Sequence, residues 1–130
     1  MTTPFLCVLL AFLLAYLPKL PLSVAMAKQP EGYDNSNPRA QQARLEGWAA
    51  RARGAHYNGF EAFMGFTAAV VVAHLSGAND HRTTILCIAF IVARILYISA
   101  YLANLDYLRS AIWGVGFLCT LALFCLPWLS

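Results

Sequence analysis

The chain predicts an all-α integral membrane protein, a bundle of four transmembrane helices. Three observations carry that prediction. The first is composition: 60% of the 130 residues are hydrophobic and only 12% are charged, whereas soluble domains run at about 45–50% apolar and about 25% charged. The second is segmentation. Four apolar stretches, at approximately 4–27, 54–75, 83–103 and 109–129, are separated by short polar connections, and each matches the roughly 20 residues that cross a bilayer. The third is economy of length. Four spans and their connections use up residues 1–130, so one four-helix membrane domain is expected and no separate soluble domain.

The first span starts at Pro4 and is uninterrupted from Phe5 to Leu17; Pro18, Lys19 and Pro21 then intrude. Ala25-Met26-Ala27 resembles a signal-peptidase site, but no positive charge precedes the apolar core, so a retained helix bent near Pro18 is expected. Lys19 is expected to snorkel or to point into the bundle. Lys28–Arg39 is polar and turn-rich, and Ala40–Arg53 has helical composition. The latter reads as the water-exposed start of the second helix, capped by Asn37 with Pro38 at the first helical position. Ser76–Arg82 and Asn104–Leu108 make the two remaining connections, and Trp128 stands where an interfacial aromatic is expected.

Charge reports orientation. The net charge is +3, with no basic run of the nucleic-acid type. Lys28, Arg39, Arg44, Arg51 and Arg53 cluster in and after the first connection, Arg109 follows the third, and the second holds only Arg82. The first and third connections are therefore expected to be cytoplasmic, with both termini opposite. The short loops suit a bacterial inner membrane. Cys7, Cys87, Cys119 and Cys125 all lie in apolar runs without C-x-x-C spacing, so they read as small packing residues, and no metal-ligand spacing appears.

Against this apolar background, polar groups inside the spans stand out. Glu61 follows Asn58 by three residues in the second span, and Arg94 lies near the middle of the third. A charge at the bilayer centre costs about 2.5–3.5 kcal/mol on insertion scales, so such residues need partners and mark candidate sites. At about 100° per residue, Arg51, Gly54, Asn58, Glu61, Gly65 and Ala68 share one stripe of the second helix. His56, Phe60, Phe63 and Val70 fall opposite; His56 is expected at the interface and the two phenylalanines toward lipid. Phe90, Arg94, Tyr97 and Tyr101 share a face of the third helix, and Arg109, Trp113, Gly116 and Thr120 a face of the fourth. Helical rise puts Glu61 about 10 Å and Arg94 about 15 Å from the cytoplasmic boundary, which predicts a buried Glu61–Arg94 ion pair. Arg109 reads either as a positive-inside anchor or as a stabiliser of an anion or thiolate. A thiol of pKa about 8.5 is mostly protonated at neutral pH, and a neighbouring guanidinium lowers that value.

A-H-Y-N-G-F-E in the second span, with A-R-I-L-Y-I-S-A-Y-L-A-N-L-D-Y-L-R-S in the third and fourth, resembles the MAPEG family, membrane-associated proteins of eicosanoid and glutathione metabolism. The resemblance covers essentially the whole chain. It implies a homotrimer of four-helix subunits, with glutathione bound between neighbouring subunits near the cytoplasmic side. By resemblance, Asn58 and Glu61 match second-helix glutathione contacts, Tyr101 a third-helix tyrosine, Arg109 the arginine that activates the thiol, and Ser110 its neighbour. Arg51, Arg94 and Tyr97 complete the candidate cofactor-binding set. Two positions depart from the pattern: Gly54 stands where the family usually has Arg, and Met64 where it commonly has Pro. Arg51, one turn before Gly54 on the same face, is the available substitute for that Arg.

The resemblance implies a glutathione-dependent transferase or peroxidase acting on lipophilic electrophiles that enter from the bilayer. Its expected partners are membrane lipids, lipophilic small molecules and further copies of the chain, with no nucleic acid. Two alternatives stand beside it. One is a non-enzymatic lipid- or ligand-binding protein of the same fold; the other is a structural subunit whose polar residues serve assembly.

Overall fold

The computed structural model describes residues 1–129 and is all-helical, with no strand among the described residues. Six helices follow in order: α1 (Thr3–Tyr16), α2 (Lys19–Ala27), α3 (Pro38–Ala43), α4 (Gly47–Leu75), α5 (Asp80–Leu102) and α6 (Asp106–Leu129). Four units are long and apolar enough to cross a membrane: α1 with α2, then α4, α5 and α6. Large apolar side chains such as Leu13, Val92, Phe117 and Leu118 are about half exposed on the bundle exterior. Such a surface suits lipid, since soluble monomers rarely expose large apolar patches. The chain is an integral membrane protein.

Pro18 separates α1 from α2, as its missing N–H dictates. Lys19 turns toward the following loop, where its Nζ donates to Tyr33 Oη at 3.3 Å. That loop is pinned by buried Gln41: its Nε2 donates to Gly32 O at 2.7 Å and Glu31 Oε1 at 3.2 Å, and its Oε1 accepts from Asp34 N at 3.0 Å. A backbone hydrogen bond, the Gln41 amide and the Arg44 guanidinium together hold the Glu31 carboxyl below its usual range.

The second span corrects one expectation. Residues 40–53 do not form a continuous lead-in to it. Helix α3 stops at Ala43, and α4 starts afresh at Gly47, whose φ of +61° is left-handed. Asn37 sits at the N-cap position of α3, with Pro38 following, but its side chain makes no capping hydrogen bond. Helices α4 and α5 both end in a left-handed residue, Gly77 (φ 68°) and Asn104 (φ 59°). In each case the next N–H reaches back to a carbonyl in the last turn, Ala78 N to Ala73 O at 3.0 Å and Leu105 N to Ala100 O at 2.9 Å. These closures satisfy orphan carbonyls and make the tight turns into α5 and α6.

Helices α4 and α5 pack on each other, and α1 and α6 flank that pair. At its centre the Phe66 and Phe90 rings stack with centroids 3.9 Å apart, surrounded by Ala69, Val70, Ile91 and Leu123. Cys7, Cys87 and Cys119 are buried in this core as free thiols, and Cys125 is half-buried.

The face of α4 opposite Glu61 is not turned to lipid or to the interface. His56 is only 3% exposed, and its Nδ1 donates to Ala15 O at 2.7 Å. Ala15 lies in the last turn of α1, where carbonyls lack helical partners, so the Pro18 break creates the acceptor that His56 fills. Phe60 packs edge-on against Tyr16, and Phe63 against Phe12. Gly59 permits this contact, because a Cβ there would stand 2.8 Å from Ala15 Cα.

Candidate functional site

Two adjoining cavities open between α4, α5 and α6. The polar one, of about 350 Å³, is lined by Gly54, Tyr57, Asn58, Glu61, Tyr97, Tyr101, Arg109, Ser110 and Trp113. It lies at the end of the bundle where α4 and α6 begin and α5 ends. The second, of about 370 Å³, is mostly apolar and runs deeper along the same helices, between Ala62, Gly65 and Phe90 on one side and Gly116, Phe117, Thr120 and Leu121 on the other. Asn58, Glu61 and Trp113 belong to both.

The polar residues form a connected series. Asn58 Nδ2 donates to Glu61 Oε2 at 3.3 Å. Arg94 Nη1 donates to Asn58 Oδ1 at 2.9 Å. The Arg94 guanidinium lies over the Tyr97 ring at 4.2 Å, Tyr97 meets Tyr101 edge-on at 5.6 Å, and the Arg109 guanidinium lies over the Tyr101 ring at 4.6 Å. Cation–π contact lets a guanidinium sit on apolar carbon while keeping its charge, and it is worth more where water is excluded.

The expected Glu61–Arg94 ion pair is not made. Among the described residues the one salt bridge is Arg44–Glu31, at 3.4 Å. Asn58 stands between the two charges and presents its carbonyl to the cation and its amide to the carboxylate. Helical rise brings the two groups to similar levels, but the Asn58 side chain, one turn from Glu61 on the same stripe, comes between them.

The remaining candidates divide. Asn58, Glu61, Tyr97, Tyr101, Arg109 and Ser110 line the polar cavity; Arg94 is buried behind them and lines the apolar groove instead. Arg51 lines neither: its Nε donates to Leu102 O at 3.4 Å, at the end of α5. Arg109 does not pair with Asp106, whose Oδ1 accepts from Tyr107 N. Two lining residues were missed as site candidates. Trp113 was placed on the face of Arg109 without a role. Tyr57 bounds the polar cavity, and its hydroxyl donates to Gln42 Oε1 at 3.0 Å and accepts from Arg39 Nη1 at 3.0 Å, which ties α3 to the site. The spacing 54, 57, 58, 61 of one helical face was the signal that would have found it.

Gly54 has a definite reason to be glycine. A Cβ built there would overlap Tyr101 Oη and lie 2.6 Å from Tyr101 Cζ. The Tyr101 phenol thus occupies the space into which any larger residue at 54 would grow. Gly54→Ala is expected to destabilise the protein by about 1–3 kcal/mol, as overpacking does. Tyr101→Ala in the same chain is expected to recover most of that loss, as contacting residues couple. Thermal unfolding of the two single variants and the double variant measures the coupling; simple additivity would contradict the contact.

A model of the MAPEG family matches residues 3–128. Neither a curated protein nor a solved structure matches the chain.

Proposed function

This chain belongs to the MAPEG family, and from that premise we propose that it is a glutathione-dependent transferase or peroxidase acting on lipophilic electrophiles. The observation that carries the reading is the pairing of cavities: a polar one with Arg109 and an apolar one, meeting at Asn58, Glu61 and Trp113. A reaction between a water-soluble thiol and a membrane-dissolved electrophile needs such a junction. Holding the two reactants in reach of each other removes much of the entropic barrier to a bimolecular step.

The polar cavity fits a zwitterionic thiol peptide. The Glu61 carboxylate suits an ammonium group, while Asn58, Ser110 and Tyr97 offer neutral hydrogen-bonding groups to a peptide. Arg109 is the one guanidinium lining it and suits the sulfur. Glutathione supplies a nucleophilic thiolate. Arg109 favours that form, because it keeps its own proton and places a fixed positive charge in the cavity. The apolar groove is bounded by Phe117 and Leu121, both about half exposed on the exterior of the bundle, which supports lateral entry from the bilayer.

In this reading the subunits form a homotrimer, and the first and third connections are cytoplasmic. The membrane is a bacterial inner membrane. The purified trimer is expected to bind glutathione and to show the ultraviolet absorbance of a bound thiolate. Absence of binding at millimolar glutathione, in a protein that remains folded, would overturn the reading.

One observation favours a non-enzymatic lipid- or ligand-binding role instead. With Gly54 covered by Tyr101 and Arg51 turned to Leu102 O, the polar cavity lacks a second cation on α4 to grip a carboxylate. In that case the groove would bind lipophilic ligand equally well with and without glutathione.

A further inference from the structure

Among the described residues, one buried cationic donor is left without a partner. Arg94 is 5% exposed, and its Nη1 is used by Asn58, but its Nη2 is buried with no hydrogen-bond partner. A buried donor left unpaired is costly, and more so when it is charged. Arg94 is one of the residues bounding the apolar groove, whose other walls include Ala62, Gly65, Phe90, Gly116 and the exposed rim of Phe117 and Leu121. Apart from Arg94 and the shared junction residues, Thr120 is the one polar side chain there, and its hydroxyl donates to Gly116 O at 3.1 Å.

We propose that the apolar groove takes a lipophilic α,β-unsaturated carbonyl compound, and that Arg94 Nη2 donates to its carbonyl oxygen. This rests on the thiol chemistry proposed above and assigns the electrophile's class. The choice among oxygen-bearing electrophiles follows from what a guanidinium can do. Opening an epoxide or cleaving a peroxide expels an alkoxide, which needs a proton at once, and Arg does not release one in proteins. Addition to a conjugated carbonyl produces an enolate, which a guanidinium can hold as an anion. The β carbon gains a bond to sulfur, and the C=C π pair shifts so that negative charge settles on the carbonyl oxygen beside Arg94. The proton released when the thiol ionised then returns to the α carbon, and the C=O bond is restored. No oxidant or reductant is consumed. A fixed donor beside developing negative charge in an apolar groove stabilises the transition state more than the ground state.

Two arms test this on the full chain in lipid nanodiscs. The first needs no thiol. A carbonyl-¹³C-labelled saturated long-chain ketone is added, and its infrared stretch is recorded. In the wild type a band shifted to lower frequency is expected, as hydrogen bonding to a cation requires, and it should vanish in Arg94→Met. Should that variant not fold, Leu121→Trp at the exposed rim of the groove narrows it without touching Arg94 and should diminish the same band. Absence of the band in the wild type, or its persistence in the variants, overturns the proposal. The second arm compares turnover of a long-chain alkenone and an alkyl iodide of equal length with glutathione. Arg94→Met, or Arg94→Lys in its place, is expected to lower kcat/KM for the alkenone by about 10²-fold more than for the iodide, since iodide departure puts no charge on oxygen and any loss transmitted through Asn58 is common to both. Equal losses for both would overturn the oxygen-donor role. A shifted ketone band without any thiol-dependent turnover would leave the groove assignment standing and reject the glutathione reading alone.

Discussion

Arg109→Ala is expected to strip bound glutathione of its thiolate at neutral pH and to leave it nearly unaffected at high pH. The sign follows from ionisation. A free thiol of pKa about 8.5 is roughly 3% thiolate at pH about 7; one lowered by about two units is roughly three-quarters thiolate. Removing the guanidinium therefore costs about 25-fold in bound thiolate at neutral pH, and the deficit closes as pH rises past about 9.5. The rate at saturating glutathione should fall by less. A more basic thiolate is intrinsically more nucleophilic, with a Brønsted coefficient of about 0.4–0.5, and this offsets part of the lost ionisation. Ultraviolet titration of the bound thiol, with parallel rate measurements, checks both parts. A deficit of the same size at every pH would mean that Arg109 acts through binding and not through ionisation. The geometry behind the expectation is the position of Arg109 over Tyr101 at 4.6 Å, in the polar cavity and without an acidic partner among the described residues.

The second large effect concerns the scaffold. Gly59→Leu is expected to destabilise the bundle by more than the about 1–3 kcal/mol typical of overpacking. A Cβ at Gly59 meets Ala15 Cα at 2.8 Å and Ala15 Cβ at 3.2 Å. The nearest of these is main chain and cannot rotate aside, so α1 and α4 would have to part. Parting them also strains the His56–Ala15 hydrogen bond, itself worth about 0.5–1.5 kcal/mol. Within a bilayer the loss is not recovered by burial elsewhere, because helix association there depends on close van der Waals contact. Gly114→Leu is the control, since a Cβ at Gly114 meets nothing within 4 Å. Unfolding in a denaturing detergent series should separate the two variants clearly. Equal stability would show that the close approach at Gly59 contributes little.

The polar stripe of α4 was legible in the sequence because helical periodicity alone places Gly54, Asn58 and Glu61 on one face. The faces of α5 and α6 followed from the same rule. All but Ala68 on those lists that lie past Arg51 line one of the two cavities. What periodicity did not supply was the identity of each neighbour. The opposite face of α4 looked lipid-facing because Phe60 and Phe63 are apolar, yet in a membrane protein lipid and a packed helix offer much the same apolar surroundings. The Tyr16 and Phe12 ring contacts, the His56–Ala15 hydrogen bond and the close contact at Gly59 show that α1 covers that face. His56 was misplaced for the same reason: its acceptor is a main-chain carbonyl of another helix, which no side-chain pattern reveals.

By itself, then, the sequence determined that this is a four-span membrane bundle and which helix faces carry polar groups. Those features depend on local properties: apolar length, proline and the period of the helix. The tertiary structure alone decided that Asn58 separates Glu61 from Arg94, that Arg51 turns away to Leu102, and that Tyr101 fills the space above Gly54. Each depends on the rotation and separation of two helices, and a shift of an ångström or two there changes which hydrogen bonds can form at all.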